Sequence, residues 1–538
     1  MKKIILIIVL VFNLSAFSQE DAWVYFNAKP DAQTYFDNPL LMLSQRSLDR
    51  RTLQNISLDY KDIPMYQPYI DQIAAISGIT IKAKSKWFNA LHIRGTQADI
   101  QALSTLSFVD HLDFANRNLN VAGKKALLKT IIPVNKAMET AVVFNYGNSD
   151  NQIQMLNGHL LHQQDYTGSG KIIAVMDGGF PGVDVAAPFA RIRDNNQILG
   201  GYDYVSRNQN FYAGISHGTM VLSTIGGFVD GQLVGTAPDA SYYLFITEDG
   251  ATETPLELSL WVEAAEEADK LGVDIITTSL GYTTFDNPNY DFTYADMNGT
   301  TSYISKGVDI AFSRGMICVV SAGNSGSSSW HYISSPADAI HALTIGAVNA
   351  SGNYASFSSQ GPSFDQRVKP DVVAQGANPY VATTSGSITN GASGTSFSGP
   401  IIAGMVASFW QALPTKTNTE IMQLIKESAS IYANPTVELG YGIPDFSLAL
   451  SNALTVQNFS KNQFLIYPNP FQNAVSISFP NDVENANLVL YSSLGQIVLQ
   501  KTVSRKDIDL TLNTLRSGIY LYQIQTKNNS QTGKLIKQ

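Results

Sequence analysis

Ser396 lies in the stretch Gly391-Ala392-Ser393-Gly394-Thr395-Ser396-Phe397-Ser398-Gly399-Pro400, where small residues crowd a hydroxyl. An apolar-periodic run (Ile401, Ile402, Met405, Val406, Phe409, Trp410) follows until Pro414 ends it. A glycine-rich loop feeding a helix leaves unpaired backbone N–H groups and the positive end of a dipole beside that hydroxyl. Such a place suits a nucleophile or an oxyanion. Serine attacks an amide only with an imidazole to take its proton and a carboxylate to hold that imidazole in the right tautomer. Asp177, His217 and Ser396 supply this set, in that chain order. Asn324, between Gly323 and Ser325, can add a side-chain oxyanion donor beside the backbone N–H of Ser396. Each has a plain alternative: an aspartate after a strand is commonly a turn or cap residue, and a His before Gly-Thr or an Asn after Gly commonly sits in a turn. The plain readings do not produce all four at the correct ends of their elements.

The elements that must position them alternate between roughly 150 and 450. Lys171 to Met176 is a short apolar run ending in Asp177-Gly178-Gly179, and His217-Gly218-Thr219 opens a helix closed by Gly226-Gly227. Thr254-Pro255-Leu256-Glu257 supplies an N-cap and a first-turn proline for a helix ending at Gly272. Val273 to Leu280 is a buried strand running into Gly281. A further helix from about Thr301 to Arg314 ends at Gly315 and passes into the strand Met316 to Ser321. Strands alternating with helices predict a parallel sheet covered on both faces, with its chemistry at the carboxyl ends of the strands. Asp177, Ser279-Leu280-Gly281 and Asn324 fall at those ends, while His217 and Ser396 open helices.

The flanks read differently. Ala22 to Phe26, a hairpin within Ile79 to Ile93, and Phe108 to Phe114 are strand-like, with helices over Ser44 to Leu53 and from Thr96 to Leu106. That is the pattern of a small α+β module of ferredoxin-like type. The basic residues Arg46, Arg50 and Arg51 read as a solvated helix face. Residues 117–145 read as a connector. After 455, short apolar stretches parted by Asn, Pro, Gly and Ser predict a small all-β sandwich over 456–538.

A chain of 538 residues exceeds one ordinary core, and a 44% hydrophobic share suffices for several. With net charge -9 and no long basic run, no nucleic-acid partner is expected. The single cysteine, Cys318, reads as a small core residue, so disulfides within the chain are excluded. Lys2 and Lys3, an apolar run from Ile4 to Phe12 and small residues to Ser18 have the layout of a secretory signal peptide over 1–18. No membrane span is expected in the mature chain. No zinc-protease helix or phosphate loop occurs, no cofactor is expected, and structural calcium is left unassigned for want of a loop with alternating acidic residues.

The segments Ile172 to Gly178, His217-Gly218-Thr219, Asp274 to Gly281, Val319 to Gly326, Phe357 to Pro362, Lys369 to Ala374 and Gly394-Thr395-Ser396 together resemble the subtilisin-like serine proteases, in that family's order over 146–455. The resemblance implies an α/β subtilisin-like sheet flanked by helices. It implies Asp177 as the triad carboxylate, His217 as general base, Ser396 as nucleophile, Asn324 as oxyanion donor and Ser279-Leu280-Gly281 as the edge that pairs with an extended substrate. Two departures stand out: Gly178 where the family usually has Ser or Thr, and Phe397 where it often has Met. Residues 19–116 resemble the propeptides of secreted relatives, implying a module that assists folding, occupies the cleft and is then removed. Tyr467-Pro468-Asn469-Pro470-Phe471 and Ser517-Gly518-Ile519-Tyr520, before a basic end, look like the sorting domain of the type IX secretion system. That implies export through the periplasm and outer membrane, with release or attachment at the cell surface. The expectation is a serine endopeptidase made as a zymogen, acting on protein or peptide substrates and partnered by its own propeptide and by secretion machinery. The alternative is a catalytically silent adhesin or binding protein on the same scaffold.

Overall fold

The computed structural model describes residues 19–120, 144–454, 464–480, 483–492, 495–505, 509–526 and 530–538. The expected signal peptide, 1–18, and most of the expected connector lie outside the described residues. The chain divides into two compact units, Met1–Ala453 and Leu454–Gln538.

The first unit begins with β1 (Gln19–Phe26), α1 (Gln45–Leu53), α2 (Gln67–Ala74), β2 (Thr80–Ser85), β3 (Ala90–Thr96), α3 (Gln97–Ala102) and β4 (Val109–Phe114). Its strands form one antiparallel sheet in the order β2-β3-β1-β4, the ferredoxin-like arrangement. Thr96 caps α3 as expected, accepting from the Asp99 N–H at 3.2 Å.

The parallel sheet follows: β5 (Ile172–Asp177), β6 (Ile198–Asp203), β7 (Ser241–Ile246), β8 (Ile275–Thr278), β9 (Ile317–Ser321), β10 (Leu343–Val348) and β11 (Val372–Gln375). Their order is β11-β10-β9-β8-β5-β7-β6, every pair parallel. Strands β5, β8, β9, β10 and β11 are buried at every residue, because helices cover both faces. On one face α4 (His217–Gly226) packs against α7 (Thr395–Ala412), which also runs across β8 to β11. On the other, α5 (Leu256–Leu271) and α6 (Tyr303–Ser313) pack together over Ala174, Met176, Ile276, Cys318 and Val320. Helix α8 (Asn418–Glu427) follows, opened by a capping box of Thr417 and Glu420.

Two local expectations need correction. Thr254 does not cap α5 with its hydroxyl; the Glu257 carboxylate instead reaches back to the N–H groups of Asp249 at 2.8 Å and Thr254 at 3.1 Å. The Arg46–Arg51 face is not simply solvated, since Arg50 and Arg51 are 6% and 2% exposed. Buried arginines need partners, and α5 supplies one in Asp269 at 2.5 Å from Arg50 and 2.7 Å from Arg51. The N-terminal sheet also rests on α5: Glu266 accepts from the N–H groups of Lys86 and Trp87, and Ser259 from Trp23 Nε1 at 2.8 Å.

The second unit is all-β. Leu465–Tyr467, Ala474–Ser478 and Asp509–Thr511 make a three-stranded sheet, and Asn485–Ser492, Ile497–Ser504, Gly518–Gln525 and Ser530–Lys537 a four-stranded one, all antiparallel. Val475, Ile477, Leu488, Leu490 and Ile524 form its core. Among the described residues no helix is long and apolar enough to cross a membrane.

Candidate active site

Asp177 ends β5 and is fully buried, while His217 begins α4. The imidazole Nδ1 donates to the two carboxylate oxygens at 2.8 and 3.0 Å, which fixes the ring and leaves Nε2 to face outward. The helix reaches the strand end because residue 218 lacks a side chain: a Cβ on Gly218 would stand 2.5 Å from Gly179 O and 2.9 Å from Asp177 Cβ. The departure at Gly178 has a local cause. A Cβ there would meet Ile215 Cγ1 at 2.7 Å, so an exposed isoleucine two residues before the histidine fills the space a Ser or Thr would need.

Ser396 sits in the first turn of α7, 9% exposed, with Gly394 before it. Its loop is fastened from three sides. Ser279 Oγ donates to Ser396 O at 2.9 Å, Ser321 Oγ to Thr395 O at 2.7 Å, and Thr395 N–H to Asn324 Oδ1 at 2.8 Å. Thr395 Oγ1 also donates to Asn324 Oδ1, at 3.1 Å. The exposed Asn324 also brings its Nδ2 to 3.4 Å from where a Gly394 Cβ would stand. The sequence reading gave Thr395 no role; its place in Gly394-Thr395-Ser396 was the available signal. The ring of Phe397, the residue after Ser396, lies 6.2 Å from that of His217. Ser396 Oγ makes no hydrogen bond among the described residues.

Residues 279–281 run past the end of β8, and pairing resumes only at Tyr282, whose N–H donates to Ser335 O at 2.7 Å. Ser279 and Leu280 are buried and Gly281 is exposed.

Two carboxylates act on the imidazole. The Asp177 charge lifts His217 to about 9 against the downward pull of burial, with the shared hydrogen bond and Glu248 adding to the rise. Glu248 follows Thr247, whose N–H donates to Asp177 O at 3.0 Å. Burial, then the Asp177 charge, pushes Glu248 itself up to about 7. Sequence reasoning missed Glu248, because nothing in a residue two places past a strand tells which titratable group it faces. Burial pushes the Cys318 thiol up, consistent with an inert core residue. Among the described residues no group of three or more His, Cys, Asp or Glu is arranged to hold a metal ion.

A parallel sheet carrying a carboxylate-bound histidine and a serine at two helix starts on its carboxyl rim defines a subtilisin-like α/β protein. The chain belongs to the subtilase family. Residues 168–443 match the Subtilase family, 21–130 the peptidase S8 propeptide domain of Bacteroidota, and 465–538 the secretion system C-terminal sorting domain. The chain is 32% identical to Subtilisin E of Bacillus subtilis over 285 residues, 52% of this chain and 66% of that protein. It therefore spans just under two thirds of that relative's length. It is 31% identical to Subtilisin of Bacillus pumilus over 294 residues, 54% of this chain and 94% of that protein. The solved MycP3 protease from the type VII (ESX-3) secretion system is similar over 58% of this chain and 91% of that one, with 19% identity and a TM-score of 0.46.

Proposed function

We propose that the chain is a secreted serine endopeptidase made as a zymogen. The observation that carries this reading is the pairing of His217 Nδ1 with Asp177 at 2.8 Å, together with a serine whose loop is pinned by Asn324 and whose neighbour Phe397 lies 6.2 Å from the His217 ring. Ser396 attacks a peptide carbonyl, His217 takes its proton through Nε2 and returns it to the leaving amine, and water hydrolyses the acyl-enzyme by the same route. Asn324 Nδ2 and the Ser396 N–H at the start of α7 donate to the oxyanion. The 279–281 segment, free of strand pairing until Tyr282, suits an extended substrate backbone added as a strand.

Three further assignments accompany this reading: 19–116 as the propeptide, 146–455 as the peptidase and 456–538 as the sorting domain that directs the chain to the secretion machinery. The matches to a propeptide domain and a C-terminal sorting domain support them. A fluorophosphonate probe tests the chemistry on the purified processed protein. Labelling that disappears in Ser396→Ala is expected. Labelling that persists in that variant, or none in the natural protein, would favour a silent binding protein on this scaffold.

A further inference from the structure

Helices α5 and α6 end in left-handed glycines, Gly272 (φ +83) and Gly315 (φ +92). Their last carbonyls lack partners within the helix and carry the negative end of each dipole. Residues of the N-terminal module meet them one by one. Ser44 N–H donates to Lys270 O at 2.9 Å, Arg46 Nε to Gly272 O at 2.9 Å and Gln54 Nε2 to Gly315 O at 2.8 Å. The guanidinium of Arg50 is met by four acceptors of the peptidase part: Val273 O, Arg314 O at 3.2 Å, Asp269 O at 3.4 Å and Asp269 Oδ1 at 2.5 Å. The glycines also allow close approach. A Cβ on Gly272 would stand 2.7 Å from Arg46 Cγ, and one on Gly315 2.8 Å from Gln54 Nε2.

The charges interlock in both directions. Asp269 is fully buried, and every hydrogen bond to its carboxylate among the described residues comes from the N-terminal module, through Ser47, Arg50 and Arg51. In return Arg314 of the peptidase part is held by Asp59 at 2.7 Å and Asp62 at 3.3 Å. Arg51 joins Asp62 at 2.8 Å, so three cations face three anions in one closed cluster. Gly272 and Gly315 precede β8 and β9, whereas Asp177 ends β5 and Asn324 follows β9. In a parallel sheet this puts the cluster on the rim opposite the cleft.

We propose that the set of acceptors at the C-terminal ends of α5 and α6 is a guanidinium-binding site, separate from the cleft, that keeps the N-terminal module bound through Arg50 and Arg51 after the chain has been cut beyond residue 120. The partner it fits is the module's own arginine helix. A planar fork answers several fixed acceptors at once, which an ammonium on a flexible stem does not. The proposal rests on reading 19–116 as a propeptide, and its test is independent of the chain's own activity. In full-length Ser396→Ala protein, a recognition sequence for an added protease is inserted between residues 121 and 143 and cut, and the release of the N-terminal fragment is followed by gel filtration and by label exchange. The fragments are expected to co-elute. Arg50→Ala/Arg51→Ala should speed release at least tenfold, and Arg50→Lys/Arg51→Lys should behave closer to the alanine variant than to the parent. Should the alanine variant not fold, the unmutated arginines still give an answer: guanidinium should speed release more than potassium at equal low ionic strength. Immediate separation with both arginines present, equal release from parent and alanine variant, or equal action of the two cations would overturn the proposal.

Discussion

The two rims of the parallel sheet use opposite ends of the same kind of element. At the carboxyl rim, α4 and α7 begin, with a partly exposed histidine opening one and a serine in the first turn of the other. At the amino rim, α5 and α6 end, and their free carbonyls are saturated by Arg46, Arg50 and Gln54. The amino rim is closed by three arginines and three aspartates, whose charges are equal in number. Helix polarity favours anions at the first rim and cations at the second.

The comparison breaks first at the serine. Ser396→Ala or His217→Ala is expected to lower turnover on the order of a millionfold, the scale found for subtilisin, a member of the same family. Single-turnover assays of the processed enzyme check this. Asn324→Leu removes the donor together with the acceptor that holds Thr395, and a loss of about a hundred to a thousandfold in kcat with little change in KM is expected. At the other rim, Gly272→Ala forces a side chain into a left-handed position against Ser47 N at 3.0 Å. A cost of about 1–2 kcal/mol is expected in thermal unfolding of the uncut chain. The smallest effect belongs to Glu248. The base works only when neutral, so kcat/KM should rise with pH through the His217 value, held at about 9 chiefly by Asp177. Glu248→Gln removes one of the charges that raise it, so the acid limb should move to lower pH and activity at pH 7 rise roughly two- to threefold. A pH profile that does not move would show that Glu248 leaves the imidazole unaffected.

Much of the peptidase sheet was legible because its signals are local. Runs such as Ile172 to Met176 and Ile317 to Val320 are apolar throughout, which only a strand covered on both faces tolerates. Gly272 and Gly315 mark helix ends by a conformation other residues resist. The candidate site was legible as a set of residue types at strand and helix ends, and the structure brings Asp177 and His217 into contact. What escaped was which groups face one another. The arginines of α1 looked like a solvated stripe because their counter-charge, Asp269, lies 219 residues away from Arg50. Thr254 looked like a cap, and Glu257 took the role because its longer side chain could reach two N–H groups at once.

By itself the sequence determined the alternation of buried strands and helices, the ends at which reactive residues stand, and the family to which the chain belongs. Those follow from periodicity, glycine placement and short motifs, each read within a few residues. Only the tertiary structure decided that Ile215 takes the space beside Gly178, that Glu248 helps to charge His217, and that a basic helix closes the far rim. These are pairings between distant segments, and no local pattern specifies them.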